Sequence, residues 1–126
     1  MAFTQYDGKD VYARNAGANL TGKVNYLAKV DADGDIILGT AGTNVLGVIV
    51  EDAVQNKPVS VQMYGIGKVL LAENVTSAGV ALASDNSGTA VLADSAGDYA
   101  FGIALETGVS GEVISFMFTH HIFATS

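Results

Sequence analysis

The sequence predicts an all-β protein, a small β-barrel or β-sandwich built from two similar halves, with at most one short helix. Fifteen glycines and a single proline separate short apolar runs, which is typical of strands joined by turns. No amphipathic helical period extends beyond two turns. A sequence pattern also recurs after about 55 residues, which indicates two halves of the same design.

The individual strands follow from the apolar runs and the turn residues that bound them. We predict strands over residues 24–30, 36–38, 45–50, 59–64, 68–72, 80–83, 90–92, 99–105 and 112–118. Apolar and polar residues alternate from Val59 to Met63, which favours a strand with one solvated face. Residues 113–118 are mostly apolar on both faces, so this strand is expected to be central or covered by another subunit. Residues 76–82 are the stretch where a short helix is allowed.

The repeat predicts halves over residues 21–73 and 76–126. Residues 46–51, LGVIVE, match residues 101–106, FGIALE, and the turn at residues 31–34 matches the turn at 85–88 with one residue of slippage. Gly47 and Gly102 lie at matched places inside apolar strands, where glycine marks a bulge or a close backbone approach. We therefore expect two equivalent bends, as closing a barrel or sandwich from two halves requires.

We predict that residues 1–19 form an extended N-terminal arm and that residues 20–126 form the β domain. Residues 1–19 carry aromatic and basic side chains without sustained alternation, namely Phe3, Tyr6, Lys9, Tyr12 and Arg14. Little would hold such a segment in the domain, so we expect residues 2–19 to be disordered or loosely held in the free protein. The aromatics favour docking on a partner; a frayed terminus is the alternative.

The composition limits the classes of partner. Charged residues make up only 15% of the chain, which indicates either a surface covered by other subunits or a small β domain rich in Ala and Val. The net charge of −7 disfavours nucleic acid. No apolar run is long enough for a membrane helix, and the N-terminus lacks the pattern of a signal peptide, so we expect synthesis in the cytoplasm.

No motif predicts catalysis, a cofactor or a small-molecule substrate. The chain has no cysteine, which excludes thiol chemistry. Asp31, Asp33 and Asp35 are spaced as in either a cation site or a β-turn, and the turn is favoured because the EF-hand spacing is absent. His120 and His121 would point to opposite faces of a strand and cannot share a metal. We therefore expect no enzyme; a small hydrolase would need a pocket with converging polar groups.

The glycines and apolar strands together resemble a known family. The segments are LGVIV at 46–50, PVSV at 58–61, YGIGKV at 64–69, AGVA at 78–81, FGIAL at 101–105 and GEV at 111–113. Over residues 20–118 this pattern is similar to the capsid cement, or head-decoration, proteins of tailed bacteriophages.

The resemblance implies a homotrimer made in the host cytoplasm and placed in the virion, on the outer capsid surface. Its partner would be the major capsid protein of the same phage, whose subunits it would bridge and stabilise. The capsid or oligomer interface would include Phe3, Tyr6, Lys9, Tyr12, Arg14, Phe116, Phe118 and His120. A phage tail or fibre module, or a host-surface binding module, is the alternative.

Overall fold

The computed structural model describes residues 11–94 and 96–119. These residues form ten strands and no helix, arranged as two five-stranded antiparallel sheets. The prediction of an all-β protein with two similar halves is thus confirmed, as a sandwich-like pair of sheets, and neither sheet closes into a barrel in this part of the chain. Residues 76–82, where a helix was allowed, hold a turn and the first residues of a strand.

The two sheets have the same strand order. The first contains β1 (Val11–Asn15), β2 (Leu27–Val30), β3 (Ile36–Leu38), β4 (Gly47–Glu51) and β5 (Pro58–Gln62), in the order β1-β5-β4-β2-β3. The second contains β6 (Ile66–Leu70), β7 (Ala81–Ser84), β8 (Ala90–Leu92), β9 (Gly102–Ala104) and β10 (Val113–Phe118), in the order β6-β10-β9-β7-β8. Each repeat therefore begins one strand earlier than the predicted halves 21–73 and 76–126.

The turn between the second and third strand of each repeat shows the duplication at the level of single hydrogen bonds. Asp31 Oδ1 accepts two backbone N–H bonds from downstream residues, at 2.9 and 3.0 Å, and Asp85 Oδ1 accepts two in the same way, at 2.8 and 3.0 Å. Gly34 and Gly88 follow with φ of 84° and 78°. The side chain of Asp31 therefore stabilises a β-turn, as the spacing of the aspartates predicted.

The slippage between the repeats lies before β2, and not in this turn as the sequence suggested. Asn25 and Gly79 both have positive φ, and their N–H groups donate to equivalent carbonyls, those of Ile49 and Ala104. Residues 21–24 thus correspond to only three residues, 76–78. The strand pairs agree with this shift of one residue. Leu27 pairs with Val48 in the first sheet, and Ala81 pairs with Ile103 at the equivalent place in the second sheet.

The glycines at the two bends are explained by close backbone approach. A Cβ atom on Gly47 would collide with the carbonyl oxygen of Gln62, and one on Gly102 would lie 2.5 Å from the carbonyl oxygen of Met117. Gln62 and Met117 are themselves equivalent residues of β5 and β10. Since real Cβ atoms do not approach a carbonyl so closely, both halves require glycine here.

Part of the predicted arm belongs to the first sheet. Val11–Asn15 pairs with β5 along its whole length, and Ala16 and Leu20 are buried in the core of the first half. This part of the arm is therefore held in the fold, contrary to the expectation of loose attachment. The strand was missed because β1 is an edge strand whose mostly exposed side chains show no alternation. Residues 1–10 lie outside the described part of the chain.

Each half surrounds its own core, and the first sheet also contributes to the core of the second half. Ala28 and Ile49 point into the first core, whereas their neighbours Leu27 and Val48 point into the second, because successive side chains of a strand face opposite ways. Isolated parallel bridges, Ala16 with Ile36 and Leu71 with Ala90, bring the two edges of each sheet together at one end. The halves are thus similar curled sheets packed in series.

Candidate interaction surface

The outer face of the first sheet is covered by the second half. Gln62 is only 3% exposed, and its Nε2 donates to the carbonyls of Tyr64 and Ile66, at 2.9 and 2.8 Å. The N–H of Leu27 donates to the carbonyl of Gly88, at 2.7 Å, while its side chain lies in the second core. This contact closes one end of the second half and fixes one half against the other.

The equivalent face of the second sheet has no such cover within the described residues. Met117, the counterpart of Gln62, is 42% exposed, and its cross-strand neighbour Ile66 is 60% exposed. Ile103 flanks Met117 on the other side, and Leu105 and Val113 are exposed beside it. We call these five residues, Ile66, Ile103, Leu105, Val113 and Met117, the outer apolar face.

The carboxylate of Glu106 lies at the edge of this face and binds the backbone of β10. Glu106 Oε2 accepts a hydrogen bond from the backbone N–H of Ser115, at 2.8 Å. This bond, together with the Ser115 hydroxyl and the nearby Lys68 ammonium, lowers the pKa of Glu106. In the first half Glu51 accepts from the hydroxyl of the equivalent Ser60, at 3.0 Å. The two glutamates matched in the sequence therefore have matching roles, since each binds the strand beside its own.

Two shallow grooves adjoin these surfaces. One, with a volume of about 280 Å³, runs between the halves and is lined in part by Val50, Ile66 and Lys68, so it borders the outer apolar face. The other lies on the first half, with a volume of about 420 Å³, and is lined by Val30, Val45 and Leu46 among others. Both are mostly apolar and lack converging titratable groups.

Four of the sequence-predicted interface residues lie in the described part of the chain. Tyr12 packs against the first core, and its hydroxyl accepts a hydrogen bond from Arg14 Nη1, at 3.1 Å. That bond, and more weakly Asp35 and Asp31, raise the pKa of the exposed Arg14. Phe116 is fully buried and Phe118 nearly so. Phe3, Tyr6, Lys9 and His120 lie outside the described residues.

The sequence therefore indicated the right strand for a surface, but the wrong side of it. Phe116 stacks edge-on against Phe101 and Phe118, with ring centroids 5.1 and 4.6 Å apart, so both β10 aromatics belong to the core. The outward residues of β10 are Val113, Ser115 and Met117. The signal was present in the alternation, because the aromatic positions share one face and bury the larger area.

The described residues contain no group of three or more His, Cys, Asp or Glu side chains that could hold a metal ion. They also contain no helix, and therefore none that is long and apolar enough to cross a membrane.

The fold is similar to a solved phage structure. The crystal structure of the head fiber gp8.5 N base in bacteriophage phi29 matches with a TM-score of 0.67, over 88% of this chain and 94% of that chain, at 21% sequence identity. No protein-family model and no curated protein matches the chain. At this identity the likeness shows a shared fold that extends over nearly the whole of both chains.

Proposed function

We propose that this chain is a structural protein of a tailed-bacteriophage head, which binds the outer capsid surface and stabilises it by bridging major capsid subunits. The observation that carries the proposal is the fold shared with the base of a phi29 head fibre over 88% of this chain. The same setting follows independently from the sequence resemblance to capsid cement proteins over residues 20–118. The proposed role is non-enzymatic, and the proposed working form is a homotrimer in the virion.

The surface chemistry supports a binding role. The outer apolar face places at least four substantially exposed aliphatic or thioether side chains on one rigid sheet, and exposed apolar patches of this kind mark interaction sites. A rigid platform loses little conformational entropy on binding. The net charge of −7 keeps the protein from competing for the packaged nucleic acid.

Bridging would stabilise a head through multivalency. Internal pressure pulls neighbouring capsid subunits apart, so a bound oligomer that touches several of them adds contacts that must break together. Each contact can be weak, because the linked contacts raise the overall affinity without a single strong site. This mechanism needs several binding surfaces on a stiff body and no reactive group.

Binding to heads tests the proposal. Heads of the encoding phage are prepared without this protein, in both the unexpanded and the expanded form, and mixed with purified chain. We expect saturable co-sedimentation with the expanded heads and a higher temperature of head disruption. The unexpanded heads are the control for nonspecific adsorption. Absence of saturable binding to expanded heads would contradict the proposal.

A fibre base is the second candidate, and the phi29 structure favours it because that protein is a head fibre base. In this role the chain would anchor a projecting fibre or a host-binding module to the head. The two roles differ in one measurable respect. A cement raises the disruption temperature of the heads it binds, whereas a fibre base binds heads without changing that temperature and contributes to adsorption on host cells.

A further inference from the structure

We propose that the outer apolar face of the second half binds the first half of a second copy of this chain, in a head-to-tail contact. The inference rests on the proposed function, since it assigns the contact that would build the proposed homotrimer. It starts from the internal repeat, because one chain already contains one example of such a contact.

The outer apolar face of the second half is the donor surface of this contact. In the first half, the face that includes Val48 and Gln62 is buried on the second half. In the second half the counterparts, Ile103 and Met117, form part of the outer apolar face, where Met117 is 42% exposed. Within the residues that the structure describes, the same backbone arrangement thus presents one covered face and one uncovered face.

The acceptor surface lies on the first half. The first half covers Ser84 at the end of β7, which is 5% exposed, and Gly39 approaches so closely that a Cβ there would lie 2.9 Å from Ser84 Oγ. The counterpart of Ser84 in the first half is Val30, because each pairs with the first residue of the following strand. Val30 is 44% exposed and lines the apolar groove with Val45 and Leu46.

The donor surface on the second half and the acceptor surface on the first half are therefore the two surfaces that the contact within one chain does not use. In the internal contact the first half uses its outer face and Gly39, and the second half uses the end of β7 at Ser84. Among the described residues, the outer face of the second half and the groove of the first remain uncovered; the face is apolar, and the groove is lined by Val30, Val45 and Leu46 together with the polar residues Lys29, Thr43 and Asn44. A heterologous contact between them closes into a ring when the rotation allows it, whereas a face-to-face contact would leave both grooves uncovered.

Charge substitutions on each surface test the contact. Ile66→Glu and Met117→Glu alter the donor, Val30→Glu alters the acceptor, and Val54→Glu is the matched control at an exposed valine of a first-half loop. Self-association is measured by sedimentation velocity from low to high micromolar concentration, with far-ultraviolet circular dichroism to confirm folding. We expect donor and acceptor variants to associate at least about tenfold more weakly, because each replaces an apolar contact by a charge that binding would desolvate, and Val54→Glu to behave as wild type.

Mixing distinguishes head-to-tail from symmetric contact. A donor variant retains its groove and the acceptor variant retains its face, so an equimolar mixture of Met117→Glu and Val30→Glu should form a heterodimer although neither associates alone. Monomeric wild type at every concentration, unchanged association of either variant class, or no complex in the mixture would overturn the inference. If wild type is monomeric and Met117→Glu loses only head binding, the face binds capsid protein, and the proposed function survives without the self-contact.

Discussion

Gln62 and Met117 are equivalent residues with opposite environments, and exchanging their chemistry tests how the halves are joined. Gln62→Met keeps the length of the side chain but removes the two hydrogen bonds to the carbonyls of Tyr64 and Ile66. Met117→Gln makes the reverse change at an exposed site. Each substitution introduces the residue that the other half has at the equivalent position.

The expected cost follows from the two lost bonds. Each contributes about 0.5–1.5 kcal/mol net, so Gln62→Met should lower the free energy of unfolding by about 2 kcal/mol. For a domain of this size that corresponds to a fall in Tm of about 8 °C. Met117→Gln should change stability by less than about 0.5 kcal/mol, as surface substitutions usually do.

Urea denaturation followed by circular dichroism measures both changes, at a protein concentration low enough to keep self-association from adding stability. The reasoning is refuted if Gln62→Met unfolds within about 0.5 kcal/mol of wild type, or if Met117→Gln is equally destabilising. The first result would mean that Gln62 does not join the halves, and the second would mean that Met117 is not a free surface residue.

Three further predictions concern other positions. Gly102→Ala should lower the free energy of unfolding by about 1–3 kcal/mol or more, because the added methyl group would be overpacked against Met117 and Phe116. Gly79→Asn copies Asn25 of the first half and should cost under about 1 kcal/mol. Equal costs for the two variants in chemical denaturation would contradict this. Leu27→Ala should cost about 2–5 kcal/mol, because Leu27 is fully buried in the second core. A loss below about 1 kcal/mol in the same assay would show that its side chain does not contribute to that core. The interaction that lowers the pKa of Glu106 contributes stability that is present above the ordinary pKa of a glutamate and is lost as the pH falls through the folded-state pKa. The Glu106→Gln variant should therefore be less stable than wild type at neutral pH and nearly equal to it in acid. The opposite pH trend would be inconsistent with the Ser115 contact.

The strand content was predictable because the signals are local. Turn glycines and alternation located β5 and β10 within a few residues, and the matched Gly47 and Gly102 predicted the repeat. The strand β1 was not predictable, because its partner β5 lies far along the chain and its exposed side chains carry no alternation. Pairing between distant segments is a tertiary property that local patterns do not encode.

The candidate surface was predictable only in part. The apolar character of β10 indicated a covered face, but the prediction placed its aromatic residues at an interface, although their shared face already favoured the core. The structure assigns the core to the side of Phe116 and leaves Met117 outside. The one-residue slip before Asn25 also had to be seen in the hydrogen bonds, since only they make Leu27 the counterpart of Ala81 and separate the covered face from the free one.

Electron cryo-microscopy of the phage proposed to encode this chain, with the gene intact and with it deleted, tests the central claim most directly. The account predicts additional density on the outer surface of the intact heads, at sites where neighbouring major capsid subunits meet, into which the two five-stranded sheets fit as copies in mutual contact. Identical heads from the two strains, or density confined to the tail, would contradict it.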